Sequence, residues 1–237
     1  MSVSRQPEVP ARNRLLAALP AEEYERLLPR METVPMSFSQ SIYEPGEPIA
    51  DVYFPLSGVM CLLTLLADGR AVEVATIGNE GMVGLPVFLG ADTAFARAIA
   101  QVPGQAMRMA AEEFRAAISH GGPFQALLHR YTQALLNLIS QTAACNRVHS
   151  IEERCSRWLL MTHDRVESDR FLLTHEFLAQ MLGVHRPRVS AVAKTLQHAG
   201  LIRYRRGNVT VLDRPGLEAA SCECYGVIKA EFDRLLG

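Results

Sequence analysis

The 237-residue sequence predicts an α+β fold: an antiparallel β domain, one long helix, then a small helical domain closed by a β-hairpin. Three observations predict it. Between about 33 and 109, short apolar runs are divided by Gly, Pro, Asp and Asn at close intervals. From 123 to 147, apolar residues keep to one or two helical faces for roughly six turns. From 151 to 212, capped helical segments with glycine turns lead into two short β-type runs.

The N-terminal part reads as helical over 12–31, where Leu15, Leu16, Leu19, Leu27, Leu28 and Met31 recur at helical spacing and Pro20 opens a second turn. The strand region follows. Its breakers are Pro45-Gly46, Ser57-Gly58, Asp68-Gly69, Gly78-Asn79, Gly81, Gly84 and Pro103-Gly104. Between them lie Val52–Phe54, Val59–Leu66 and Val72–Ile77. Asp68-Gly69 marks a hairpin, since such a pair suits a turn that needs positive φ. Many short strands with regular turns fit a barrel, roll or sandwich. A short helix starts at Ala110 and ends at Gly121-Gly122-Pro123. The long helix then carries a stripe of Leu128, Tyr131, Leu135, Leu138 and Thr142. A stripe that long needs a partner, and a parallel pair of such helices gives a two-fold dimer. Packing of the stripe on its own β domain is the alternative.

The next segment carries the function. A helix holds Ile151, Cys155, Trp158 and Leu159. A second opens after Thr174, a good N-cap residue. Gly183 supplies a tight turn, Ala179 a small residue where two helices cross, and Pro187 sits in the first turn of a third helix that runs to about Ala199. Gly200 stops it. Arg203-Tyr204-Arg205-Arg206-Gly207-Asn208 then leads into Val209–Leu212. Helix, glycine turn, helix and basic hairpin make a winged helix-turn-helix. Val189, Val192 and Leu196 form the inner face of the third helix. The opposite face carries Arg186, Arg188 and Ser190 as base-reading candidates, because a guanidinium matches the guanine O6/N7 acceptors. Thr174, His185, Lys194, Arg203, Arg205, Arg206 and Asn208 are placed to meet the DNA backbone, which fixes register but not sequence.

Charge agrees. The chain carries a formal net charge of only −1. Residues 1–146 sum to −4, residues 147–214 to +5 and residues 215–237 to −2. One basic segment inside an acidic chain is the electrostatic footprint of a DNA-reading module. Hydrophobic residues at 49% and charged residues at 21% are ordinary for a globular protein. No apolar run approaches the ~20 residues of a membrane span, and the segment Met1 to Pro7 has no apolar signal core, so a cytoplasmic location is expected. The sequence has no phosphate-cradling glycine loop, serine nucleophile elbow or paired acid motif, which argues against an enzyme. The five cysteines are odd in number and read as reduced thiols. Cys222 and Cys224 are a pair of soft ligands, but spacing identifies no third, so no metal site is expected.

These motifs resemble the Crp/Fnr superfamily (cyclic-AMP receptor protein and fumarate–nitrate reductase regulator). Leu173 to Ser190 is similar to its helix-turn-helix signature. Leu196-x3-Gly200-Leu201-Ile202 and Arg206 to Asp213 are similar to its wing and the lead into it. Tyr43-Glu-Pro-Gly-Glu47, Val52 to Gly58, Asp68-Gly69 and Gly81-x2-Gly84 resemble its β-roll more loosely. The resemblance implies a cyclic-nucleotide-binding-like sensor domain over 1–122, a dimerisation helix over 123–148 and a Crp-type DNA-binding domain over 149–237. It implies a homodimer, duplex DNA as partner, RNA polymerase as a further partner and no membrane. The alternative is a ligand-binding or interaction module whose helix-turn-helix no longer binds DNA; the basic wing argues against it.

The departures are informative. Pro187 stands where the family has a Glu that contacts cytosine, and Ala191 where it has a second Arg. The recognised DNA sequence should therefore differ from the family's best-known sites. Cyclic-nucleotide binders carry a Gly-Glu pair and, about ten residues on, an Arg for the cyclic phosphate. Here Gly84-Leu85 replaces the pair, and Arg97 matches only if the loop is longer. Gly84, Leu85 and Arg97 are the effector-site candidates, cyclic AMP is not the expected effector, and no cofactor is expected. The family's iron–sulfur members have an N-terminal cysteine cluster, whereas the first cysteine here is Cys61.

Overall fold

The computed structural model describes residues 12–119, 121–166 and 168–236; the expectation about a signal segment falls on residues 1–11, outside them. The N-terminal helical reading breaks into α1 (Arg14–Ala17), α2 (Ala21–Leu27) and a 3-10 turn at Leu28–Arg30. Pro20 is the reason: it lacks an N–H and pushes its predecessor out of the helical region. Asn13 caps α1 by accepting from the Leu16 N–H at 3.2 Å. Its amide donates to the carbonyls of Pro55 and Gly81 at 3.0 and 2.8 Å, so this fully buried side chain is satisfied and ties the N-terminal turn to the β domain.

Strands β1 (Glu32–Met36), β2 (Ser41–Tyr43), β3 (Asp51–Leu65) and β4 (Ala71–Ile77) follow. A short helix α3 (Leu85–Phe88) precedes β5 (Arg97–Ala110). All pair antiparallel in the order β1-β5-β3-β4, with β2 also on β5. Two sequence breakers prove not to break strands. Ser57-Gly58 lies inside β3 and Pro103-Gly104 inside β5, facing each other where the register shifts. Gly58 has φ +76° and a Cβ there would sit 2.6 Å from the Val102 carbonyl oxygen; one on Gly104 would run into the Ser57 carbonyl. Glycine is needed because two backbones touch at these bulges. The Asp68-Gly69 hairpin joins β3 to β4 as expected, with Gly69 at φ +84°.

Helices α4 (Ala111–Ile118) and α5 (Pro123–Val148) complete this half. Phe124 of α5 meets Phe54 and Phe114 with ring centroids 6.2 and 5.7 Å apart, docking the first turn of α5 on the sheet. Beyond it come α6 (Ile151–His163), β6 (Arg170–Leu172), α7 (His175–Leu182), α8 (Arg186–His198), β7 (Ile202–Arg205) and β8 (Asn208–Val211). The terminal helical reading over 217–236 divides into α9 (Arg214–Ala219) and α10 (Cys224–Leu236), with Ser221-Cys222 between them. Among the described residues no helix is long and apolar enough to cross a membrane.

The stripe read as a dimer seam faces inward. Leu128, Tyr131, Leu135 and Leu138 are all buried within the chain itself. Tyr131 donates to the Met82 carbonyl at 2.9 Å, and Thr142 accepts from the Arg157 guanidinium at 3.1 Å. The physical reason lies in the β domain, against which Tyr131 and Leu135 sit, and in α10, whose Ile228 and Phe232 lie by Ala134 and Leu138. Arg130 donates to the Leu235 carbonyl at 3.0 Å and Asn137 to Glu231 at 2.6 Å along the same contact. The β domain and α10 together use the apolar stripe.

The two halves of the chain are joined by buried polar contacts. Glu73 on β4 accepts from the Trp158 indole of α6 at 3.1 Å and from the Thr76 hydroxyl at 2.8 Å, while its second oxygen has no partner. Burial pushes its carboxyl up to about 7, against the opposing effects of these hydrogen bonds and of Arg157 and Arg165. The native state therefore holds a proton that the unfolded chain releases near pH 4.5. The stability tied to that proton is present below pH 4.5 and is lost as pH rises through about 7, by roughly 3 kcal/mol. Glu73→Gln is expected to flatten the pH dependence of stability over this window and to stabilise the protein at about pH 8. Urea denaturation of both proteins at about pH 5 and about pH 8 checks this; parallel pH profiles would sink it.

Candidate nucleic-acid interface

The helix-turn-helix is built by local rules. Thr174 caps α7 by accepting from the Phe177 N–H at 3.1 Å. Gly183 ends α7 at φ +64°, a left-handed conformation that glycine adopts without steric cost. Ala179 is buried, and its carbonyl accepts from the Val184 N–H at 2.9 Å across the turn. Pro187 lies in the first turn of α8, where a missing N–H leaves no bond unmade. Val189, Ala193 and Leu196 face inward and Val192 is half-buried, so the inner face matches its pattern.

The outer face presents Arg186, Arg188 and Lys194, all exposed, with His185 at the N-cap. Ser190 departs from the expectation of a base-reading side chain. It is half-buried and bonds to the His175 ring Nδ1 at 2.9 Å, because its position turns it towards α7. His175 in turn packs on Tyr204, centroids 4.3 Å apart, and the Tyr204 hydroxyl donates to the Leu173 carbonyl. Partial burial, with the Arg186 charge second, holds the His175 pKa below its ordinary value. Ser190, His175 and Tyr204 thus lock α8, α7 and the wing together.

The wing is a three-stranded antiparallel sheet in the order β6-β8-β7. Arg206-Gly207 makes its two-residue turn, with φ values of +50° and +76°, the mirror-image turn that suits a twisted hairpin. The Asn208 amide donates to the Arg206 carbonyl at 3.2 Å within the turn, which holds this DNA-backbone candidate at the wing tip. Arg203 and Arg205 share the exposed face of β7, while Ile202 and Tyr204 point the other way. Arg170 on β6 aligns with Thr210, which also pairs with Arg203. It joins the same row of cations. Sequence reasoning misses it because β6 precedes the helix-turn-helix and is only three residues long.

Many arginines elsewhere are paired, although among the described residues exposed Arg147 and Lys229 are not. Arg30, Arg70, Arg97, Arg108, Arg115, Arg214 and Arg234 each hold a carboxylate within 3.0 Å. Among the described residues Arg188, Lys194, Arg203, Arg205 and Arg206 form no ion pair. Arg186 has only a solvent-exposed Glu176 at 3.9 Å, a separation at which a surface pair contributes little.

The candidate effector region is a cavity of about 420 Å³ between the sheet and α5. Gly84 and Leu85 line it, with Leu62, Val74, Met82, Leu135, Leu136 and Ile139 among its other walls. Arg97 does not line it; its guanidinium is engaged by Glu44 at 2.7 Å. No described Lys or Arg lines the cavity. Elsewhere, Cys145, His149, Cys222 and Cys224 come together at the joint between α5 and α6. Sequence spacing identifies Cys222 and Cys224 but no third ligand; the fold brings two more, from a segment more than 70 residues upstream.

Residues 38–120 match the cyclic nucleotide-binding domain, and residues 153–220 match the Crp-like helix-turn-helix domain. No curated protein matches the chain. FixK2 from Bradyrhizobium japonicum is similar in fold, with TM-score 0.69 and 18% identity over 81% of this chain and 98% of that one. CLP of Xanthomonas campestris, described as a c-di-GMP responsive global regulator, has TM-score 0.63 and 20% identity over 81% and 99%. A CRP-family transcriptional regulator from Thermus thermophilus has TM-score 0.63 and 20% identity over 79% and 96%. A winged helix-turn-helix joined to a cyclic-nucleotide-binding-type domain defines a DNA-binding transcription regulator. Within that class, the chain belongs to the Crp/Fnr superfamily.

Proposed function

We propose that the chain works as a homodimer that reads a two-fold-symmetric duplex site, with Arg186 and Arg188 meeting bases and Lys194, Arg203, Arg205 and Arg206 meeting phosphates. The observation that carries this reading is the set of exposed cations on α8 and the wing that, among the described residues, have no carboxylate closer than 3.9 Å. Thr174 and His185 sit at the N-termini of α7 and α8, where phosphate binding is favoured. The half-sites would lie about 34–36 Å apart, one helical turn. RNA polymerase is carried over as a partner from the family.

The outward face of α5 supports the dimer. Ala126, His129, Gln133, Leu136, Ser140, Ala143 and Arg147 recur at three- and four-residue steps, the spacing of a coiled-coil seam. Small residues there allow close helix approach. The cavity supports an effector other than a cyclic nucleotide: its walls are apolar and offer no cation for a phosphate. A small apolar molecule fits it better.

Selection of bound sequences from a random duplex pool, with sizing of the complex, tests the proposal. A two-fold-symmetric enriched motif with two chains bound is expected; no enrichment, with or without added metabolite extract, would overturn it. Arg186→Ala is expected to weaken specific binding by ~1–3 kcal/mol and relax preference at one base position. Equal loss on every duplex would mean that Arg186 holds phosphate. Removing both wing charges (Arg205→Ala with Arg206→Ala) is expected to weaken all duplexes alike and flatten the dependence of affinity on salt. An unchanged slope would count against a DNA-contacting wing.

A further inference from the structure

Cys145 lies in the last turn of α5 and His149 is its C-cap, while Cys222 sits between α9 and α10 and Cys224 begins α10. Their Sγ and ring nitrogen atoms all lie within 4.8 Å of one another. Cys145 Sγ is 3.5 Å from Cys222 Sγ, and Cys224 Sγ is 3.6 Å from His149 Nδ1. A tetrahedral zinc with Zn–S bonds of ~2.3 Å places neighbouring sulfurs about 3.8 Å apart. We infer that these four residues form a site for a single borderline-soft divalent cation, Zn(II), bound as Cys3His.

Three further observations agree. The thiols are buried but stand apart from the main core and pack as a cluster of their own. Cys61 and Cys155, by contrast, are ordinary members of the main core. The ligand set also has outer support. Glu223 holds His149 Nε2 at 3.2 Å, which fixes the ring so that Nδ1 faces the thiols. Gln141 donates to Cys224 Sγ at 3.0 Å. Finally, Arg157 acts electrostatically on Cys145, and its buried Nη1 has no hydrogen-bond partner among the described residues. Binding would replace three thiol protons, released to solvent, and leave the Cys3His–Zn(II) unit with one negative charge; Arg157 offsets it. Four donors this close surround one ion, whereas a two-iron cluster would spread its ligands over two centres.

The site clamps the tail to the joint where α5 hands over to α6. Its existence does not rest on the DNA-binding reading. The test is metal analysis of the purified full chain, followed by stripping with chelator under reducing conditions and reloading with Co(II). The expected results are one zinc per chain and, on reloading, tetrahedral d–d bands with sulfur-to-cobalt charge transfer. Cys222→Ser and His149→Ala are each expected to lose the metal, while Cys61→Ser keeps it. Folded wild-type protein that takes up neither Zn(II) nor Co(II) would overturn the proposal, even if the variants fail to fold. So would acid-labile sulfide, or metal retained in both ligand variants.

Discussion

Leu136→Asp is expected to turn the proposed dimer into a folded monomer and to lower affinity for a full two-half-site duplex by about two to four orders of magnitude. Leu136 is 54% exposed in the single chain and lies at the rim of the apolar cavity, so its replacement removes little buried surface and stability should change little. In the proposed seam the two-fold axis would bring the two aspartates together in a desolvated contact. Juxtaposed like charges there cost several kcal/mol. Separate monomers also lose the effective concentration that couples the second half-site to the first, which accounts for the large loss on DNA. Sedimentation equilibrium and titration of full and half sites check both effects. A variant that stays dimeric would move the interface away from the outward face of α5.

Arg165→Met is expected to destabilise the fold by about 3–5 kcal/mol, the cost of leaving a buried carboxylate unpaired. Arg165 donates to Glu80 through Nε at 2.9 Å and Nη2 at 2.7 Å, and to the Met161 carbonyl through Nη1 at 2.5 Å. Both side chains are 8% exposed. The Arg165 stem lies over Gly78, where a Cβ would sit 2.5 Å from it. Without the arginine, Glu80 keeps, among the described residues, the Gly78 N–H at 3.1 Å. Adding Glu80→Gln to Arg165→Met should recover much of the loss, because the unpaired charge is gone. Urea denaturation of both variants checks this; a double variant as unstable as the single would point to packing instead of charge.

How much of this is legible in the sequence follows from how local each signal is. Thr174, Ala179, Gly183 and Pro187 specify the helix-turn-helix within one short stretch, and each acts on its own backbone or the next turn. The hairpin at Asp68-Gly69 is equally local. Ser57-Gly58 and Pro103-Gly104 read as strand ends because a glycine bulge looks like a turn until its partner strand is known. The α5 stripe is apolar as its periodicity says, but periodicity reports that a face is buried and not what buries it; the β domain and α10, about a hundred residues later, share that role. The seam now proposed is rich in small and polar residues, so hydrophobicity does not mark it. Ser190 escapes sequence reasoning through helix geometry alone, since its contact with His175 depends on how α7 crosses α8. The thiol–imidazole cluster is half visible: Cys222 and Cys224 announce themselves, but Cys145 and His149 join only when α10 lies back along α5.

The chain has one tryptophan, and its indole donates to Glu73 across the junction between the β domain and the DNA-binding half. That makes the protein its own optical reporter. If α6 shifts against β4 when DNA or an effector binds, the indole leaves its carboxyl partner and its emission must change in wavelength or yield. Binding constants for any ligand that moves this junction can therefore be read from intrinsic fluorescence, with no dye attached and no residue replaced.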